Sequence, residues 1–451
     1  MNATVAGAAG RQLSMVVAAA LIALEASAGH AKEREQFVPV NVYRVGPYAS
    51  SGSAVAGGMR DYLQMLNTRD GGINGVKFTW EKCGTEFNNL RAIECYGRMK
   101  NQRLTGANLI EPLPAGMSYA PLDGASADEI PTISLGYGRA DAADGSVFPY
   151  VFPLVSTYWS QAATMIRYIG EKERGLDKLR GKHIAMLYHD SAYGKEPIPV
   201  LTELAAKYRY RLSTIPVPDP GNEQQSQWLQ IRELRPDWVI LWGWGVMNPT
   251  ALKAAARAGY PRRRMVGVWW SGAEEDVIPA GLAAKDFVAA GLNVSGTNYP
   301  VIRNIQRYVH AKVSANINDE PGVGSIYYNR GVVIGIITAE AVRIAQRRFG
   351  KSRPLTGKQV RLALEHLRID AARLNQLGAS GLMPPLKTSC ADHEGSGLVR
   401  FMKWDEMRWN IVTDWMAPTP EDRKVVHQKY LGSAASYART KGITPRRCPA
   451  S

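Results

Sequence analysis

Cysteine is scarce in this 451-residue chain: only Cys83, Cys95, Cys390 and Cys448. None stands in CxxC spacing, which disfavours a zinc site or a dithiol redox centre. Long apolar runs are missing too. The early run Met15–Leu24 is ten residues, about half of what a bilayer-spanning helix needs, and no later segment approaches that length. Acidic residues are the minority charge, 40 against 55 Lys and Arg for a net +15. The basic residues are scattered, however. The densest groups are Arg262-Arg263-Arg264, Arg347-Arg348 and Arg446-Arg447, which read as solvated faces and not as a nucleic-acid surface. A weaker use of the charge is steering anionic solutes or docking an acidic partner surface. Catalytic signatures are also missing: no Gly-x-Ser-x-Gly elbow, no paired His ligands, no Walker loop. His189-Asp190-Ser191 holds triad letters, but neighbours on a strand and its exit cannot assemble triad geometry. His183, His310, His366, His393 and His427 are isolated. No enzyme, metal or cofactor is expected.

What the chain does have is 45% hydrophobic residues against 21% charged, enough to bury a large core in two domains. Arg11 precedes the Met15–Leu24 run, and Ala26-Ser27-Ala28 and Gly29-His30-Ala31 follow as candidate cleavage sites. Residues 1–31 therefore read as an export signal. In an oxidising compartment an even cysteine count suggests two disulfides. Three pairings are possible, and nearness in sequence favours Cys83–Cys95 and Cys390–Cys448.

Strand-length apolar runs alternate with helical patterns along most of the chain, which implies parallel sheet covered by helices. Residues 37–45 read as a buried strand and 53–68 as a helix, with Gly46-Pro47-Tyr48-Ala49-Ser50-Ser51-Gly52 turning between them. Such a turn aims backbone N–H groups at whatever lies off the strand end. A strand at 76–80, a helix at 88–101 with Leu90, Ile93, Tyr96 and Met99 on one face, and strands at 107–110 and 131–135 come next. Beyond about residue 155 the alternation restarts with a helix at 158–173, and strands follow at 183–188, 212–217, 238–241, 265–269 and 287–292. Helices at 300–316, 326–348 and 356–367 lead to a strand pair at 398–403 and 408–415 and a helical tail.

The order of these landmarks resembles the type I periplasmic binding proteins, in particular the branched-chain amino acid (Leu/Ile/Val) binding family of ABC importers. The matching pieces are Gly46-Pro47 to Gly52, Asn67-Thr68-Arg69-Asp70-Gly71-Gly72-Ile73-Asn74-Gly75, Cys83, Ile133-Ser134, Asp190-Ser191-Ala192-Tyr193-Gly194 and Leu252-Lys253-Ala254-Ala255-Ala256-Arg257-Ala258-Gly259. The resemblance covers roughly 37–415. It implies an α/β protein of two doubly wound parallel-sheet lobes joined by a three-crossing hinge, closing on one ligand. The N-lobe would be 37–153 with 293–375, the C-lobe 154–292 with 376–417, and 418–451 an added tail. The partners implied are a small-molecule ligand and the membrane permease and ATPase subunits of an importer, in the periplasm, with the binding protein itself a monomer. Cys83–Cys95 falls where the family often carries a disulfide.

The chain departs from the family's amino-acid site. Where the family usually offers Ser and Thr to the α-carboxylate, this sequence reads Leu113-Pro114-Ala115-Gly116-Met117-Ser118. Where an acidic residue pairs the ammonium, it reads Val268-Trp269-Trp270-Ser271. Glu274 and Glu275 come later, on an expected helix. A bound ammonium would lack its counter-charge, a loss of several kcal/mol in a closed cleft. Aromatic residues stand in place of the missing acid. Trp244 is where the family places a Tyr, and Tyr193 is retained. Trp269 or Trp270 joins them, alternation placing one in the core and the other toward the cleft. Tyr48, Gly136-Tyr137 and Tyr327 complete the candidate box, whereas Trp242 reads as core. The expected ligand is an aromatic or apolar carboxylate. Its carboxylate would meet N–H groups around Ser50-Ser51 and Pro114-Ala115-Gly116, and its ring would be clamped by Trp244, Tyr193 and Trp270. An amino acid, an amide or a urea-like solute is the alternative ligand, and a sensory module feeding a membrane receptor is the alternative role.

Overall fold

The computed structural model describes residues 34–111, 122–311 and 322–449. The export signal at 1–31, Pro114, Ala115 and Gly116, and the end of the expected 300–316 helix lie outside the described residues. Two sheets organise the rest. In the first, β1 (Glu35–Val42) runs parallel to β2 (Lys77–Gly84). On its other side the 107–111 segment joins β1 through Asn108 N–H to Phe37 O, 3.4 Å, and bridges Ile110 to Thr132. Thr132 opens β3 (Thr132–Ile133), which is parallel to β4 (Val151–Phe152). The expected strands at 107–110 and 131–135 thus shrink to a bridge and a two-residue pair.

The second sheet has seven strands, in the order Trp409–Ile411, Arg400–Trp404, Val288–Gly291, Met265–Gly267, Trp238–Trp242, His183–His189 and Arg211–Val217. Its parallel part is β5 (His183–His189), β6 (Arg211–Val217), β7 (Trp238–Trp242), β8 (Met265–Gly267) and β9 (Val288–Gly291). A short pair, β10 (Arg368–Ile369) and β11 (Leu386–Lys387), stands apart. The chain then returns as β12 (Arg400–Trp404) and β13 (Trp409–Ile411), antiparallel on the β9 edge. Every residue of β5 and β7 is buried, as expected for central parallel strands covered on both faces.

The helices fall close to expectation, with informative exceptions. The first, Ala49–Asp70, begins four residues early and takes Ser50 and Ser51 into its first turn. Pro197 separates two helices, Ala192–Lys195 and Ile198–Tyr208. Helix Asn89–Met99 is capped by Asn88, but its expected apolar face is only half right. Tyr96 and Met99 are buried, whereas Leu90 is 76% exposed and Ile93 48%. The strand at 265–269 ends at Gly267, so Trp269 and Trp270 sit in a turn where strand alternation no longer sorts them. Both cysteine pairs form as expected, with Cα–Cα distances of 5.8 Å for Cys83–Cys95 and 5.4 Å for Cys390–Cys448.

Helix Ile326–Phe349 packs directly against helix Ala49–Asp70, and glycine makes that possible. A Cβ at Gly58 would stand 2.0 Å from Tyr328 O, and one at Gly331 2.0 Å from Val55 O. The two backbones touch where any side chain would hold them apart. Gly331→Ala is expected to cost at least about 2 kcal/mol of stability in denaturant unfolding. Gly432 is an exposed interior residue of the tail helix Pro420–Lys441 with open space around it, so Gly432→Ala should add roughly 0.5–1 kcal/mol. Equal effects at the two positions would contradict the close-approach reading.

Candidate functional site

The carboxyl ends of both sheets face each other, and the loops leaving them carry the rings. β1 ends at Tyr43, β5 at His189, β7 at the Gly243-Trp244-Gly245 turn and β8 at Trp269-Trp270. Tyr48 stacks on Trp244 at 4.2 Å and 19°, with Phe87 edge-on to Trp244 at 4.9 Å. Tyr137 leans on Trp270 at 4.6 Å, and Trp270 on Tyr327 at 5.5 Å. Tyr158 stacks on Trp269 at 5.1 Å and tilts against Tyr193 at 5.2 Å. All of these are buried except Phe87, which is partly so. Offset and edge-on ring pairs of this kind add roughly 0.5–1.5 kcal/mol each beyond their area.

Hydrogen bonds tie the two sides together. The Gly136 carbonyl accepts from Trp269 Nε1 at 3.0 Å, Trp270 Nε1 at 2.6 Å and Tyr158 O–H at 2.6 Å. Both tryptophans therefore face the other sheet's loops, and the expected split between core and cleft is corrected. Trp244 Nε1 donates to Ser51 Oγ at 3.3 Å, and Ser51 Oγ lies 3.0 Å from Tyr43 Oη, which meets Tyr137 Oη at 3.3 Å. Tyr48 O–H reaches His189 Nε2 at 2.8 Å and also donates to Asp219. Tyr193 O–H donates to Gly243 O at 3.0 Å. Gly245 passes so close to Pro47 that a Cβ would stand 2.3 Å from its carbonyl oxygen.

Of the residues singled out from sequence, Tyr48, Ser51, Gly136, Tyr137, Tyr193, Trp244, Trp269, Trp270 and Tyr327 converge here. Ser50 is half-buried in the same helical turn and takes no part in these bonds. The Ser51 and Gly52 amides already donate to Tyr48 O, so the turn offers fewer free N–H groups than the sequence suggests. Trp242 is fully buried, its Nε1 without a partner.

Sequence reasoning missed the charged groups. Arg330 is 0% exposed, with its guanidinium 4.2 Å from the Trp270 ring centroid and 5.4 Å from that of Tyr327. Its Nε–H reaches Asn293 Oδ1 at 3.3 Å and one NH2 group Trp269 O at 3.0 Å, but NH1 has no partner. Burial lowers its pKa from the ordinary value, the Tyr327, Tyr137 and Tyr158 phenols opposing, yet an arginine remains a cation. Among the described residues no carboxylate forms an ion pair with it. The carboxyl groups that sense its charge are each pushed up by burial: Glu111 well above the usual range, Glu275 upward, and Asp276 to about 7. Asp276 is already held by Tyr327 O–H at 2.7 Å, Asn248 Nδ2 at 2.9 Å and Ala273 N–H at 3.0 Å. Glu111 is 3% exposed; the Leu135 amide lies near its carboxyl group, but neither oxygen makes a hydrogen bond of good geometry. The signal for Arg330 was present in the sequence: it is the one charged residue between Ser325 and Glu340 in an otherwise apolar helix.

A cavity of about 580 Å³ lies elsewhere, beneath the tail helix between Asp144, Glu394, His427 and Tyr430. The ring cluster is the better candidate because it joins both sheets and contains unpartnered buried polar groups.

The family model described as "Periplasmic binding protein" matches residues 35–408. Among solved structures, one from the Pseudomonas fluorescens group, named an ABC transporter permease, is 46% identical over 92% of this chain and 100% of its own, with a TM-score of 0.86. No described helix here is long and apolar enough to cross a membrane. A branched-chain amino acid ABC transporter structure from Thermus thermophilus with bound valine is 20% identical, covering 87% and 99%, TM-score 0.71. A solute-binding protein of an ABC transporter from R. palustris in complex with benzoate is 18% identical, covering 85% and 97%, TM-score 0.63. No curated protein sequence matches the chain. With its type I fold and its parallel-dominated sheet, the chain belongs to the periplasmic binding protein family, as a substrate-binding protein of an ABC transporter and not an enzyme.

Proposed function

We infer that this protein captures a small apolar carboxylate, preferably one with a planar ring, between two closing lobes and presents it to the permease and ATPase of an importer. The lobes would be 37–153 with 293–375 and 154–292 with 376–417, the chain exported by removal of residues 1–31 and acting as a monomer. The observation that carries the reading is Arg330: a fully buried cation with a free N–H, walled by Trp270, Tyr137 and Tyr327, with no carboxylate ion-paired to it among the described residues. A buried charge without a counter-ion is strongly unfavourable, and a ligand carboxylate would supply the missing anion through charge-assisted hydrogen bonds. The rings would take the ligand's flat apolar body. The benzoate bound by the R. palustris protein is a ligand of this type, though at that identity the likeness is one of fold alone.

Glu111 gives specific ground for a second reading, an amino acid whose ammonium it would pair. That pairing needs an ionised Glu111, and burial pushes the group the other way, with only the Leu135 amide and Arg330 opposing. The carboxylate reading therefore ranks first.

Two outcomes are expected. In calorimetric titration, benzoate and related aromatic acids bind and leucine does not. Arg330→Gln, checked for folding by its thermal transition, weakens acid binding by about 100-fold or more. Leucine binding with silence from the acids would end the reading.

Closure also has a pH dependence. His189 sits in the contact between Tyr48 and Asp219, its Nδ1 3.0 Å from Ser191 Oγ, and burial holds its pKa below the ordinary value against the pull of Asp219 and Asp190. A base with a depressed pKa resists protonation, so the closed form keeps its full stability above about pH 6.5 and loses it as pH falls below. Ligand affinity should drop between about pH 7 and pH 5.5, and His189→Gln should flatten the profile. An affinity that rises on acidification would rule this contact out as a latch.

A further inference from the structure

We propose that Glu111 reads a hydroxyl group on the ligand, so that the acid held at Arg330 is a ring-hydroxylated aromatic acid and not a plain one. This rests on the carboxylate reading above and narrows it. Glu111 lies at the carboxyl end of the 107–111 segment, one residue past the Ile110–Thr132 bridge and beside β1, whose Asn41 donates to the Glu111 backbone carbonyl at 3.0 Å. That end of the sheet faces the ring cluster. Glu111 is close enough to Arg330 and to the Tyr43 and Tyr137 hydroxyls that its charge is felt by all three. Both of its carboxyl oxygens are buried and unpartnered, as is Arg330 NH1. The site thus holds two sets of unmatched polar atoms, one cationic and one carboxylic.

The chemistry that satisfies both is restricted. Arg330 asks for an anion. Glu111 as a neutral carboxyl donates one hydrogen bond and accepts others, and as a carboxylate it only accepts. A hydroxyl donates and accepts, so it matches Glu111 in either state. An ammonium matches only the ionised state, which burial disfavours. A bare hydrocarbon edge matches neither and leaves both oxygens desolvated without partners. The flanking Tyr43 and Tyr137 hydroxyls, already bonded to each other at 3.3 Å, can extend the network to the same ligand oxygen. A site built to pair a hydroxyl rejects the analogue that lacks it more sharply than an apolar pocket rejects an extra methylene.

The test is calorimetric titration of the full mature protein with benzoate, with 2-, 3- and 4-hydroxybenzoate and with leucine, repeated for Glu111→Gln and Glu111→Leu, each variant checked by thermal unfolding. One hydroxybenzoate isomer should bind at least about tenfold tighter than benzoate. Glu111→Leu should abolish that preference while benzoate still binds, and Glu111→Gln, whose amide also donates and accepts, should keep part of it. Benzoate binding with no isomer favoured, or a preference that survives Glu111→Leu, overturns the hydroxyl assignment and leaves the carboxylate reading standing. Leucine binding alone, or no acid bound at all, overturns both. The isomer series on the unmutated protein decides the matter even should Glu111→Leu fail to fold.

Discussion

A fully buried arginine sets the terms for the centre of this molecule. Burying a cation costs several kcal/mol unless something returns its lost hydration. At Arg330 the return comes in parts: two hydrogen bonds, to Asn293 Oδ1 and Trp269 O, and the negative faces of Trp270 and Tyr327. None of these is a full charge. The nearby carboxyl groups could have ionised to pair it, yet burial raises Glu111, Glu275 and Asp276 together. No ion pair closes on the guanidinium among the described residues, and NH1 is left without a hydrogen-bond partner.

The architecture delivers that charge to one place. Arg330 precedes Gly331, and Gly331 with Gly58 lets helix Ile326–Phe349 lie against helix Ala49–Asp70 at backbone contact. The same approach sets Tyr328 O–H on Asp61 at 2.8 Å, below the Arg330 turn. Across the gap, one carbonyl organises the opposite wall. Gly136 sits at φ +84 and accepts from two indoles and a phenol, so the Trp269-Trp270 turn, helix Tyr158–Lys172 and the 134–137 turn are fixed to one another. A side chain there would crowd Trp269 Nε1 at 3.1 Å as well as strain the backbone.

Much of this was legible in the sequence, and the rest was hidden for definite reasons. The alternation of strands and helices survives because parallel strands buried on both faces leave unbroken apolar runs such as Trp238–Trp242. Trp244 and Tyr193 came from the family resemblance, and the structure sets them, with Tyr48, in loops that leave strand ends. Trp269 and Trp270 were misjudged because period-2 alternation was extended two residues past Gly267, where the strand stops. Leu90 and Ile93 were misjudged because a helical period tells which residues share a face, not whether that face is covered. Arg330 was overlooked for a deeper reason. Most charges are solvated, so composition gives no cue to the one that is not, and only its isolation in an apolar helix marks it.

The tail explains how the two sheets keep a common frame behind the rings. Asp422, fully buried, takes Lys207 Nζ at 2.7 Å and the Tyr208 hydroxyl at 2.9 Å from the second-sheet side. Further along the same helix, Ser433 donates to Asp141 at 2.7 Å, and beyond it Arg446 reaches Gly145 O at 2.8 Å and pairs Glu365. Between these anchors Tyr430 meets Ser160 at 3.0 Å and Glu394 at 3.1 Å and also bonds Thr157, at the point where the chain passes from the 153–156 loop into helix Tyr158–Lys172. Cys390–Cys448 closes the strap covalently over a separation of 58 residues, which restricts the unfolded chain as well as the folded one. Because Tyr430 bonds Thr157 and Ser160 on either side of Tyr158, the same strip also holds the start of the helix that carries one ring of the cluster.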